Sequence, residues 1–340
     1  MNLFGGGLWS EPKVRLSGTC SGSGGHSIYY ETRGSPTRKA VLFIHGGPGR
    51  GIAHSIWSFF NPRSYYIVLV DQRGCGRSTP TGELSENNTQ ALVEDFESIR
   101  QRLGIEKWML FGCGWGSALA LAYAQTHPQA VSEIIINNVI LFSSKEIDWL
   151  FRFGASEFFP QSWSDFENGV VSFGGSLLAA YNHALLQGDD EAKCRAVEGW
   201  TRWERAISGL QPQPREEATF EETYNTARIA CHYFLNGGFF KTDGQLLANM
   251  GILSQHRIKG LIVHGEGDHV TPIARAIELQ KAWPEASLVC VPGAGHSTAD
   301  PRIQEALLKA TADFGGCGCF LKWPAKRTES ENLNSKPPSA

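Results

Sequence analysis

Phe111-Gly112-Cys113-Gly114-Trp115-Gly116-Ser117 is the stretch on which the fold turns. It follows an apolar run, Trp108-Met109-Leu110-Phe111, that reads as a buried strand. It precedes Ala118-Leu119-Ala120-Leu121-Ala122-Tyr123-Ala124, a run of strong helix formers. A strand, a glycine-rich corner and a helix form the context of a nucleophile elbow, G-x-S-x-G. With Gly112 and Gly116 as the flanking glycines, the tip is Gly114, which has no side chain. Centring the motif on Cys113 or on Ser117 puts Phe111, Trp115 or Leu119 where small residues are needed, so Gly114 is the tip. The competing assignment is the glycine-rich turn of a nucleotide-binding fold. What lies on either side of the corner favours the elbow.

Upstream, the apolar strand Ala40-Val41-Leu42-Phe43-Ile44 runs directly into His45-Gly46-Gly47-Pro48-Gly49. Glycines at the end of a central strand let backbone N–H groups point into a cleft, as an oxyanion hole requires. Next comes the strand Ile67-Val68-Leu69-Val70, closed by Asp71-Gln72-Arg73-Gly74-Cys75-Gly76-Arg77-Ser78. That loop is expected to be fixed by an Asp71–Arg73 pair, or else to contribute to a site. Asn88-Thr89 opens a helix through Leu92, Val93, Phe96, Ile99 and Leu103 at helical spacing.

Downstream, two polar loops each follow an apolar strand. His264-Gly265-Glu266-Gly267-Asp268 follows Gly260–Val263, and Pro292-Gly293-Ala294-Gly295-His296 follows Ser287–Val291. Elbow, then acid, then histidine is the chain order of an α/β-hydrolase triad. Asp268 bonded to one imidazole nitrogen of His296 would fix the tautomer and leave the other nitrogen as a base.

The expected fold is therefore α/β, a mostly parallel sheet flanked by helices, with an inserted, mainly helical cap. Between about residues 143 and 245 the strand–helix rhythm lapses into short helical patterns rich in aromatics, among them Trp149, Phe158, Trp163, Trp200 and Trp203. This gives a core over 1–142 and 246–320, a cap over 143–245, and a polar tail over 321–340 expected to be disordered.

Composition sets the outer bounds. The chain has 340 residues, 41% hydrophobic and 19% charged, an ordinary globular balance. A net charge of -3 offers no argument for nucleic acid or a membrane as partner. No apolar run approaches the roughly 18 residues of a membrane span, and Met1-Asn2-Leu3-Phe4-Gly5 has no basic region ahead of an apolar core. Eight scattered cysteines fit a reduced, cytoplasmic chain. Cys317-Gly318-Cys319 has no second ligand pair nearby, so two plain thiols are expected there and no metal or cofactor elsewhere. Oligomeric state is left open.

Over roughly residues 27 to 315 the chain resembles the proline iminopeptidases, α/β-hydrolase-fold enzymes that remove N-terminal proline from small peptides. The likeness rests on His45–Gly49, on Asp71 through Pro80, and on Trp115-Gly116-Ser117 leading into Leu119 through Pro128. Within the cap it rests on Trp200-Thr201-Arg202-Trp203-Glu204 and on Ala227-Arg228-Ile229 ahead of His232-Tyr233-Phe234. It implies His296 and Asp268 as catalytic groups, and the amides of Gly46, Gly47 and Trp115 as oxyanion donors. It also implies a substrate site at Glu204, position 230, Trp203, Tyr233 and Phe234. Two positions depart from the family pattern. Gly114 stands where the family has its serine nucleophile. Ala230 stands where the family has the second of two glutamates that hold the substrate's amino group. Two coordinated changes at the chemical centre point to a redirected function.

Without the hydroxyl there is no acyl-enzyme. The first expectation is a non-hydrolytic reaction, such as proton abstraction with cyclisation, elimination or isomerisation. Its substrate would be small and amine-bearing, for instance prolyl- or indole-derived, and bulkier than a prolyl residue. Hydrolysis by a His296-activated water, a proline iminopeptidase inactivated by exchange of its serine for glycine, and a catalytically inert binding protein are the alternatives. Cys113 as replacement nucleophile is disfavoured, because an elbow residue beside the tip points away from it.

Overall fold

The computed structural model describes residues 8–52, 56–172, 174–209 and 218–316. Cys317, Cys319 and the 321–340 tail lie outside the described residues. Within them, eight strands form one sheet: β1 (Val14–Ser21), β2 (Ser27–Gly34), β3 (Lys39–Ile44), β4 (Tyr65–Val70), β5 (Trp108–Cys113), β6 (Val131–Asn137), β7 (Lys259–Gly265) and β8 (Ala286–Val291). Their order is β1-β2-β4-β3-β5-β6-β7-β8. Pairing is antiparallel for β1–β2 and β2–β4 and parallel from β4 onward, which is the mostly parallel sheet expected.

The central strands read as unbroken apolar runs because both of their faces are covered. Leu42, Val68 and Leu110 point into one core, with Trp108 and Tyr123. Their neighbours Val41, Phe43, Ile67, Leu69, Met109 and Phe111 point into the other, closed by Phe60, Ile303, Leu307 and Phe314. The period-2 alternation of side chains thus supplies two layers at once. The strand hardest to read from sequence is β1. It is an edge strand whose residues are mostly exposed, so it carries no apolar run.

Helices α1 (Thr89–Arg102) and α2 (Trp115–Thr126) pack on the sheet. Asn88 caps α1 by accepting from the Ala91 amide at 2.9 Å. Between β6 and β7 the chain is helical: α3 (Ser144–Phe151), α4 (Ala155–Phe158), α5 (Pro160–Asn168), α6 (Leu177–Gln187), α7 (Asp190–Ser208), α8 (Phe220–Leu235), α9 (Gln245–Ala248) and α10 (Gly251–Gln255). Helices α11 (Ala274–Ala282) and α12 (Pro301–Gly316) complete the core. The interhelical core of α5, α6 and α7 is aromatic. Phe166 stacks on Tyr181 with ring centroids 4.3 Å apart and on Trp203 at 5.6 Å, and Trp163 meets Trp203 edge-on at 5.1 Å.

Helix α8 reaches down to the sheet's loops. Thr226 Oγ1 donates to the Gly49 carbonyl at 3.1 Å, and Tyr233 Oη donates to Asn87 Oδ1 at 2.8 Å. From the other side, Trp149 Nε1 of α3 donates to the His269 carbonyl at 2.8 Å. The helical insert is therefore tied to the loops at the carboxyl ends of β3, β4 and β7, where an open α/β sheet builds its site.

Candidate active site

Backbone contacts build the corner between β5 and α2. A Cβ at Gly112 would lie 2.1 Å from the Gly116 carbonyl oxygen, and one at Gly116 would lie 2.1 Å from the Ile44 carbonyl oxygen. Any side chain at either position would push the helix off the strands. Held this way, Gly114 at the tip has φ 55° and ψ −121°, a conformation that L-residues with side chains avoid. Its amide donates to the Asn137 carbonyl at 3.0 Å, and its carbonyl accepts from Ser117 Oγ at 2.7 Å. Ser117 is fully buried, with its hydroxyl committed to the Gly114 carbonyl and the Ile140 amide, so it offers no free nucleophile beside the tip.

A Cβ built on Gly114 meets one atom within 4 Å, His296 Nε2 at 3.9 Å. The other imidazole nitrogen, Nδ1, is 2.8 Å from Asp268 Oδ2 and 3.1 Å from Oδ1. A carboxylate can only accept here, so Nδ1 carries the proton and Nε2 faces Gly114 with its lone pair. Asp268 also accepts the amides of Val270 and Thr271, each at 2.9 Å, and the Thr271 hydroxyl at 2.8 Å. Burial opposes ionisation of Asp268. The His296 ring, through the charge it carries when protonated and through its hydrogen bond, outweighs burial together with the Thr271 amide and holds the carboxyl below its ordinary value of 3.8.

Second-tier contacts complete the arrangement. His264 is fully buried; its Nε2 donates to the Thr271 carbonyl at 2.6 Å and its Nδ1 accepts the Val139 amide at 3.2 Å. Burial pushes its pKa down, and both bonds suit the neutral ring. Asn138 has φ 55°, which asparagine tolerates better than most residues, and its side-chain amide donates to the His296 carbonyl. Asn138 escaped the sequence reading; the Asn137-Asn138 pair ending a run of isoleucines was its available signal.

The loop after β3 runs beside the tip, where a Cβ at Gly46 would sit 3.0 Å from the Cys113 carbonyl oxygen. Gln72 braces the two. Its side chain donates to the His45 carbonyl at 2.9 Å and accepts Trp115 Nε1 at 2.8 Å, while its amide donates to His45 Nε2 at 3.1 Å. His45 Nδ1 donates to the Gly46 carbonyl at 2.8 Å. The chain segments bearing the Gly46, Gly47 and Trp115 amides thus meet at one corner.

The expected Asp71–Arg73 pair is corrected by the structure. Asp71 accepts from the Ile52 amide at 2.7 Å and from Arg77 Nε at 2.9 Å. Arg73 turns the other way into a bidentate pair with Asp95, at 2.7 and 2.8 Å, with both side chains almost wholly buried. The loop is fixed, but to α1.

The cap residues divide. Glu204 on α7 faces the loop after β3, where its Oε2 lies 3.0 Å from Arg50 Nη2. Trp203, one residue earlier, is turned into the helical insert. It is 1% exposed and donates its indole N–H to the Leu150 carbonyl at 3.1 Å. Adjacent helical residues point about 100° apart, so Glu204 and Trp203 leave α7 in different directions. Tyr233 lies behind Trp115, ring centroids 4.8 Å apart, with its hydroxyl committed to Asn87. Phe234 stacks on Phe142 at 5.0 Å. Ala230 on α8 is completely buried. The Cys113 thiol is pushed up to about 12 by burial, which removes its nucleophilic form at neutral pH. Among the described residues, no three His, Cys, Asp or Glu side chains form a metal cluster, and no helix is long and apolar enough to cross a membrane.

The sequence pattern of the alpha/beta hydrolase fold matches residues 39–301. The solved structure of VinJ superposes with a TM-score of 0.64 at 19% identity, covering 89% of this chain and 99% of that one, a likeness of fold. The proline iminopeptidase of Xylella fastidiosa is 42% identical over 293 residues, 85% of this chain and 93% of the relative. That of Arabidopsis thaliana is 42% identical over 310 residues, 89% of this chain and 80% of the relative. At this identity and coverage, the chain belongs to the proline iminopeptidase family of α/β-hydrolase-fold proteins.

Proposed function

We propose that this protein works as a proton-transfer catalyst on a small amine-bearing substrate, without forming an acyl-enzyme. The observation that carries this reading is the tip of the elbow: Gly114 holds a conformation that residues with side chains avoid, and beyond its chain neighbours the nearest described atom to where its side chain would begin is His296 Nε2, at 3.9 Å. His296, oriented by Asp268, takes a proton from the substrate at Nε2, and the amides of Gly46, Gly47 and Trp115 stabilise the oxyanion that develops. The same histidine then returns the proton to a different atom, which gives isomerisation, elimination or ring closure. Glu204 receives the amine. The family's hydrolytic route needs a hydroxyl where this chain has hydrogen; a triad stripped of its serine retains only about 10³-fold acceleration over water.

A second reading draws on the same open space. A water seated beyond the Gly114 Cα and deprotonated by His296 would attack a bound amide directly, giving slow hydrolysis. One experiment separates the two. Proline methyl ester is incubated in deuterium oxide with wild type and with His296→Ala, and both α-proton exchange and ester cleavage are followed by proton NMR. Exchange without cleavage, lost in His296→Ala, is the expected result. Cleavage lost in His296→Ala would favour the water route instead. Neither exchange nor cleavage by wild type would overturn both and leave a binding protein.

A further inference from the structure

Arg50 is the residue next to the glycine loop, and nothing in the sequence marked it out. The backbone before it is pinned: Thr226 holds the Gly49 carbonyl, and a Cβ at Gly49 would lie 2.8 Å from the Thr226 carbonyl oxygen. Its side chain is loosely placed, 48% exposed, with its guanidinium 3.0 Å from Glu204, which is 22% exposed. An ion pair that open contributes little, so it can be exchanged for another. Ala230 adds no charge on the α8 side.

We infer that Arg50 is the specificity-determining residue of the amine subsite, and that it selects amines carrying an anionic group of their own. The inference rests on the reading above in one respect, that Glu204 receives the ligand's ammonium. Arg50 Nη2 holds Oε2 of the Glu204 carboxylate, so a ligand cation reaching that carboxylate either displaces the guanidinium or crowds it on the same group. A plain cation then replaces one positive partner with another and leaves a guanidinium without a counter-ion beside it, so its net electrostatic gain is close to nil. A zwitterion behaves differently. Its ammonium pairs with Glu204 while its carboxylate pairs with the released guanidinium, whose planar fork suits a carboxylate. Both halves of the internal pair are then replaced, and the subsite ends with every charge matched.

The probes are proline, a zwitterion, and prolinamide, a cation of nearly the same shape. Each is titrated calorimetrically into wild type, Arg50→Gln and Glu204→Gln at low and high salt, with thermal melts to show that the variants are folded. Wild type is expected to bind proline more tightly than prolinamide. Arg50→Gln should reverse that order, tightening prolinamide by about two- to fivefold, the range set by an exposed ion pair, and making its binding more salt-sensitive. Glu204→Gln should weaken prolinamide in wild type and in the Arg50→Gln background. If Arg50→Gln leaves the preference unchanged while Glu204→Gln still weakens the amine, the role given to Arg50 is wrong and the amine site stands. If Glu204→Gln has no effect, or neither probe binds, the amine site itself falls and the inference with it.

Discussion

The elbow and the amine end of the helical insert are held by different kinds of contact, and they have fared differently. At the elbow, position is set by main chain against main chain: Gly112 against the Gly116 carbonyl, Gly116 against the Ile44 carbonyl. None of this depends on what side chain stands at 114, so the tip keeps its strained geometry, φ 55°, with glycine there. At the amine end, recognition depends on single side chains. In the proposed site Ala230 is a buried methyl group, and Glu204 already faces the guanidinium of Arg50. A corner set by backbone is indifferent to the side chain at its tip; one set by side chains changes with each residue.

The largest expected effect tests the first half of that contrast. Gly114→Ser should be accepted by the existing corner and bring release of proline from prolyl-p-nitroanilide, at least about 10³-fold above wild type, with labelling at position 114 by a fluorophosphonate. The strained conformation should cost the variant roughly 1–3 kcal/mol of stability. A well-folded but inert and unlabelled variant would show that the tip and His296 are not in working register. Asp95→Ala probes the fixed loop between the two regions. It strands Arg73 in the core and should cost about 3–5 kcal/mol in urea unfolding; a loss below 1 kcal/mol would mean that the loop does not depend on this pair.

Gly116→Ala comes next, expected to destabilise by about 3 kcal/mol, because its Cβ would meet backbone rather than a yielding side chain. A neutral result would sever the explanation of the elbow's persistence. The smallest effect is with pH. Burial lowers the pKa of His45, His232 and His264 below the ordinary 6.5. Below 6.5 the unfolded chain therefore binds protons that the folded chain refuses. Stability should be full above that value and fall as pH drops beneath it, on the order of 1 kcal/mol per pH unit for each such histidine at most. Asp268, with its lowered pKa, adds a further loss only in the acid range below 3.8. Melting temperatures recorded from about pH 7.5 down to about pH 5 check the sign; a rise on acidification would contradict neutral buried rings.

Much was legible in the chain before any coordinates. The strand–glycine–helix grammar of residues 108–124, the apolar runs of the central strands and the loops bearing Asp268 and His296 are local patterns, each fixed by neighbours within a few positions. These determined the fold class and the order of the site's parts. The cap's lapse of rhythm was equally plain, because a stretch without buried parallel strands cannot show their apolar runs. Partnership between distant side chains was not legible. Arg73 meets Asp95 rather than Asp71, Gln72 reaches both His45 and Trp115, Trp203 turns into the insert while Glu204 turns toward Arg50, 154 positions away. Such choices depend on which groups the packed chain brings within about 3 Å of one another with the right orientation. A charge or an amide in a sequence states what it can bond with, and only the tertiary structure decides which of many chemically equal partners it meets.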